Sequence, residues 1–146
     1  MNLIRKTYGT TEVQITSFQS SKGITEYHIF FQQTDCMEDF HTQLQHIQDV
    51  YTHSVEELPG NPATIFRRYF LSDVTNQTDE LMERERLFPY CALSIVQQAP
   101  MNGTKIALWA WLQTGVQTQV LPSGLFEAHH GCLLYTSDAA DERSSV

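Results

Sequence analysis

Cysteine is scarce in this chain. Cys36, Cys91 and Cys132 are the only three in 146 residues, and no two stand at the close spacing of a structural zinc site. An odd count, behind an opening "MNLIRKTYGTTE" that holds two basic residues and no apolar leader, predicts free thiols in a reducing compartment and a cytoplasmic location. Positive charge is scarce too. Nine Lys and Arg face seventeen Asp and Glu, a formal net charge of −8. That balance argues against broad nucleic-acid or anionic-membrane binding, both of which need a basic surface. No apolar run approaches the roughly 20 residues of a membrane-spanning helix. The two N-glycosylation sequons, at Asn76 and Asn102, read as chance matches, because glycosylation follows secretion.

What is present suits one globular domain. A hydrophobic fraction of 41% and a charged fraction of 18% are ordinary for a folded chain, and the length suffices for a core without staples. "EVQITSF" (12–18) and "TEYHIFFQQ" (25–33) flank the turn signal "SSKG" and predict a hairpin. Residues 36–57 predict a helix capped by Thr34 or Asp35, with Phe40, Leu44, Ile47, Tyr51 and Val55 as its apolar stripe. "LPGNP" ends it. "ATIFRRYFLSD" (63–73) reads as a strand. "NQTDELMERERLF" (76–88) reads as a second helix, with Asp79 and Glu80 toward its positive end and Arg84 and Arg86 toward its negative end. "CALSIVQQ" (91–98) and "KIALWAWLQ" (105–113) predict two strands joined through Asn102-Gly103, a dipeptide suited to a tight hairpin turn.

The resulting order, ββαβαββ, predicts an α+β fold with two helices on one face of a mixed or antiparallel sheet. The last strand is apolar on both sides, Ile106, Leu108, Ala110 and Leu112 against Ala107, Trp109 and Trp111. Strand 63–73 likewise sets Ile65, Tyr69 and Leu71 against Phe66 and Phe70. Two helices cover one face only, so the other face is expected to meet a partner, either another subunit or a second domain.

The last fifteen residues, "CLLYTSDAADERSSV", break from this composition and continue no strand or helix pattern. They resemble the translation of a transposase-type sequencing adapter. Residues 1–131 are therefore read as the domain and 132–146 as a non-native tail, with the natural chain expected to continue beyond Gly131.

The ββαβαββ order, "RRYFLSDVTNQTDELMERERLF" and "ALSIVQQAPMNGTKIALWAWL" together resemble the Rid/YjgF family, the reactive-intermediate imine deaminases. The likeness spans residues 12–113. Tyr69, Leu71 and Asp73 match the close of the strand before the family's second helix, and Pro100 matches the proline of its last loop. The resemblance implies a chorismate-mutase-like fold, trimers and clefts between subunits. In deaminase members an arginine opens the penultimate strand and binds the substrate carboxylate, and a glutamate in the last strand positions water. Here the arginine position falls on Cys91, and Ala107, Leu108, Trp109 and Ala110 stand where the glutamate belongs. A neutral thiol does not replace a bidentate guanidinium, nor does an indole replace a tuned carboxylate. The chain thus resembles the degenerate N-terminal unit of chorismatase-like proteins built from several Rid-like units.

Four residues are candidates for a cleft. Cys91 is either a nucleophile or a small buried apolar side chain. Arg67, whose neighbour Arg68 must face the opposite side of the strand, would bind a carboxylate or pair with an acid. Trp109 and Trp111 would line a pocket or an interface. His46 and His53 share a helix face, and His129 and His130 are adjacent, but neither set makes a metal site of three or four ligands. No catalytic residue, metal or cofactor is assigned. The leading expectation is a non-catalytic Rid-like domain that self-associates as a trimer or packs on a second Rid-like domain and so shapes clefts. One alternative is part of an enzyme acting on a small carboxylated metabolite, by chorismatase-like hydrolysis or imine deamination. The other is a small-molecule binding module.

Overall fold

The structure, a computed structural model, describes residues 2–120, 126–130 and 133–135. It is an α+β fold. Strands β1 (Asn2–Tyr8), β2 (Thr11–Gln19) and β3 (Thr25–Gln33) form an antiparallel meander. Helix α1 (Phe40–Glu57), strand β4 (Ala63–Leu71), helix α2 (Val74–Glu85), strand β5 (Ala92–Gln97) and strand β6 (Ile106–Gln113) follow. From β2 to β6 the order is the expected ββαβαββ. The strand β1 precedes it, making a six-stranded mixed sheet ordered β1-β2-β3-β6-β4-β5.

That order corrects one expectation. Residues 91–98 and 105–113 are not a hairpin. β5 pairs parallel with β4 at the sheet edge, while β6 inserts between β3 and β4, antiparallel to both. The Asn102-Gly103 turn serves the crossing instead. Gly103 takes φ +83°, and the Asn102 side chain donates to the Gln33 carbonyl at the end of β3 (2.7 Å). The turn thus delivers the chain to the middle of the sheet, where apolar residues on both faces of β6 are needed.

Both helices start later or earlier than their sequence signals suggest. α1 begins after Asp39, whose carboxylate accepts the Thr42 N–H (2.8 Å). Asp35 instead accepts the Met37 N–H (2.9 Å) in a local turn, so it does not cap. The predicted stripe holds. Leu44, Ile47 and Tyr51 are buried, and Phe40 and Val55 pack against the core. At the far end Gly60 has φ +83°, and a Cβ there would lie 2.8 Å from Thr114 Cγ2. Glycine is therefore required on both counts. α2 is capped by Asp73, which accepts the Asn76 N–H (3.3 Å). Starting at Val74, it carries no acid in its first turn, so Asp79 and Glu80 lie too far along to act on the dipole's positive end.

The core lies between the helices and one sheet face. Val13 and Ile15 of β2, Tyr27, Ile29 and Phe31 of β3, Tyr69 and Leu71 of β4, and the even-numbered residues of β6 meet the helices there. Strands β7 (Val116–Val120), β8 (Phe126–His130) and β9 (Leu133–Tyr135) form a separate three-stranded sheet. His129 and His130 lie in β8. Of the stretch read as a non-native tail, 132–146, only Leu133–Tyr135 in β9 is described; Cys132 and residues 136–146 fall outside the described residues.

Candidate functional site

The sheet face opposite the helices carries a run of aromatic side chains. Strand register sets the run. His28 and Phe30 of β3 stand beside Trp111 and Trp109 of β6, which stand beside Phe66 and Arg68 of β4. The His28 ring stacks on both indoles, with centroids 5.6 Å from Trp109 and 6.1 Å from Trp111 and planes within 24° and 11° of parallel. Phe66 meets Trp109 at 5.5 Å, Phe30 meets Phe70 at 6.3 Å edge-on, and Phe18 meets His28 at 5.9 Å edge-on. The Arg68 guanidinium lies over the Phe66 ring at 5.2 Å and donates to Ser94 Oγ (3.2 Å). Among the described residues no helix covers this face, and Phe18 is 42% exposed. Side chains that are large, rigid and amphipathic suit an interface core better than water. The Trp111 indole N–H is buried with no partner among the described residues.

Two of the four candidate residues, Trp109 and Trp111, lie on this face. The other two lie on the opposite side of the sheet, beneath the helices. Arg67 is 2% exposed. Its Nε and Nη2 donate to Glu85 Oε1 at 3.1 and 2.9 Å, Nη2 also to the Pro89 carbonyl at 3.1 Å, and Nη1 to the Tyr51 hydroxyl at 3.0 Å. The second Glu85 oxygen accepts the Tyr69 hydroxyl at 2.6 Å. Gln48 donates to that same hydroxyl (3.4 Å) and accepts from Arg84 (2.6 Å). The Tyr51 and Phe88 rings flank the guanidinium, each 5.4 Å from its centre. Burial opposes the guanidinium's charge, but Cys91, Tyr51, Glu85 and Tyr69 more than offset it, and its pKa rises above the ordinary range. Burial, then Glu85, push the Tyr69 phenol well up against the pull of Arg67, so it stays a donor. Every polar atom of the ion pair is used within the fold. Arg67 pairs with an acid and presents nothing to a cleft; Arg68 is the arginine on the open face.

Cys91 sits just before β5, beside Arg67. Part of its surface reaches solvent, but burial around the thiol pushes its pKa up to about 12, with Glu85 adding to the rise and Arg67 working against it. A thiol held that high is neutral near pH 7 and a poor nucleophile. Alkylation by iodoacetamide at neutral pH, followed by peptide mass spectrometry, should modify exposed Cys36 at least about tenfold faster than Cys91, whose thiol is held almost wholly protonated. Equal rates would show that Cys91 has an activated thiolate.

The histidines pair singly with carboxylates on scattered elements: His28 with Glu26 (2.6 Å), His41 with Glu80, His46 with Glu38 (3.4 Å) and His53 with Glu57 (2.9 Å). Among the described residues no three His, Cys, Asp or Glu side chains group as a metal site would require. No helix there is long and apolar enough to cross a membrane.

Sequence reasoning missed His28 and Phe30 as members of the aromatic face. The signal was available in "TEYHIFFQQ", where Glu26, His28, Phe30 and Gln32 alternate with the buried Tyr27, Ile29, Phe31 and Gln33. The Glu85 partner of Arg67 carried no such signal, because 18 residues and a change of element separate the two. In comparisons with known proteins, no protein-family model, curated protein or solved structure matches this chain.

Proposed function

We propose that this chain is a non-catalytic, Rid-like assembly domain whose helix-free sheet face packs against a second copy of itself. The observation that carries this reading is the aromatic face. Phe18, His28, Phe30, Phe66, Phe70, Trp109 and Trp111 form a continuous patch on the side that no described helix covers. Phe18 is exposed, Phe66 is buried and the others are half-buried in the single chain, and the composition is that of an interface core. The resemblance to the Rid/YjgF family, carried by "RRYFLSDVTNQTDELMERERLF" and "ALSIVQQAPMNGTKIALWAWL", favours a trimer. The residues at the family's catalytic positions favour loss of its chemistry. Cys91 holds a neutral thiol, and "IALWAWLQ" offers no carboxylate in β6.

Sedimentation should show the wild-type chain at about three times its 16.8 kDa mass. Trp109→Asp and the more exposed Phe18→Asp should each drive it to monomer, since a charge in an interface core loses its hydration without a partner. Retained circular dichroism separates dissociation from unfolding. A wild-type chain that stays monomeric at high concentration overturns the proposal. Supplied with 2-iminopropanoate, the protein should release ammonia no faster than buffer; accelerated release would restore the enzymatic reading.

A further inference from the structure

A small hollow of about 290 Å³ opens at the β1–β3 end of the helix-free face, lined by Arg5, Glu12, Val13, Gln14, Phe30 and Gln32. Register explains the grouping. Gln14 stands between Arg5 on β1 and Phe30 on β3, and Glu12 stands beside Gln32. Four polar side chains and one ring therefore share a single patch.

The polar groups here differ from those buried within the fold. Arg67 is paired with Glu85, Gln33 donates to Thr11, and Gln77 donates to Ser72. Around the hollow, Arg5 and Glu12 form no ion pair with each other or with any described residue. One guanidinium and one carboxylate thus stand on the same patch with their charges unspent. Two amides beside them can each donate and accept, and Phe30 supplies an apolar wall.

We infer that this hollow binds a small zwitterion, an α-amino acid with an apolar side chain. Its carboxylate meets Arg5, its ammonium meets Glu12, and its side chain lies on Phe30. The volume falls just below the roughly 300 Å³ at which clefts for drug-sized ligands begin, which suits a metabolite of this size. The formal charge of −8 disfavours a simple anion in the surrounding field, whereas a net-neutral ligand escapes that penalty. The lining residues all come from one chain, but Phe30 also belongs to the face proposed above to pack on a second copy, so the hollow is open in the monomer and closes on assembly.

Nuclear magnetic resonance titration tests it, with L-phenylalanine and L-leucine as probes against 3-phenylpropionate and 2-phenylethylamine. Both amino acids should shift the amides of residues 5, 12, 14, 30 and 32 saturably, and each single-charge analogue should bind at least about tenfold more weakly. Arg5→Gln and Glu12→Gln, exposed positions that leave the core intact, should each weaken phenylalanine binding about tenfold or more. The inference is overturned by no saturable shift in the millimolar range, by 3-phenylpropionate binding as tightly as phenylalanine, or by either variant binding as tightly as wild type. The titrations are run on the monomeric Phe18→Asp chain, whose substitution lies outside the hollow and which no second copy covers, so either proposal can fail alone.

Discussion

Glu85→Ala should cost about 3–5 kcal/mol of unfolding free energy, the usual loss when one partner of a buried ion pair is removed. Arg67 and Glu85 are 2% and 8% exposed, and the guanidinium gives two of its contacts to Glu85 Oε1. Without the carboxylate, the charge remains under α2 with only the Tyr51 hydroxyl and the Pro89 carbonyl. The Tyr69 hydroxyl loses its acceptor as well. In a chain of this length such a loss lowers the melting temperature by about 10 °C or more. The double variant Arg67→Met/Glu85→Leu should recover most of it, because an apolar pair of similar volume removes the desolvation cost along with the attraction. Thermal unfolding followed by circular dichroism distinguishes the cases. If the double variant is as unstable as the sum of the two single ones, the pair is not a coupled buried unit and the description of the network fails.

Leu108→Ala should cost about 3–5 kcal/mol through the cavity it leaves. Leu108 is fully buried in β6, level with Phe31 on one side and Tyr69 on the other. Those neighbours belong to strands hydrogen-bonded across the sheet, so the site has little freedom to collapse into the space. Leu87→Ala is the control. Leu87 is 76% exposed, and the change should stay within about 0.5 kcal/mol. Urea unfolding at fixed protein concentration reads both, the concentration being held because association contributes to apparent stability. Similar losses at the two positions would contradict the placement of β6 at the centre of the sheet.

The β2–β3 hairpin, the stripe on α1 and the two-sided apolarity of β4 and β6 were legible because each is a local periodicity of side chains. β1 was not. Its residues are exposed or half-buried throughout, so no alternation marks "NLIRKTY", and its place rests on backbone pairing with β2. The β5–β6 hairpin was misread for a different reason. Asn102-Gly103 is a sound local turn signal, but turn chemistry says nothing about which strand lies beside which. The width of the apolar band on β6 decides that, since a strand buried on both faces belongs in the interior of the sheet. Among the site residues, alternation established that Arg67 and Arg68 face opposite sides. It did not establish which side holds an acid, and Glu85, from another element, answers that.

The central position of β6 orders the events of folding. β3 and β4 touch only through it in the sheet, and it comes last of the six in the chain. A growing chain that has emerged only to Lys105 holds the β1–β3 meander and the β4–β5 pair as two separate ribbons. Each ribbon then shows an unsatisfied strand edge to solvent or to another nascent chain. The closing step is the capture of an eight-residue segment between two waiting edges, a non-local pairing that is intrinsically slow. A segment with the same alternating apolar pattern, supplied from outside, would compete for that gap while it is open.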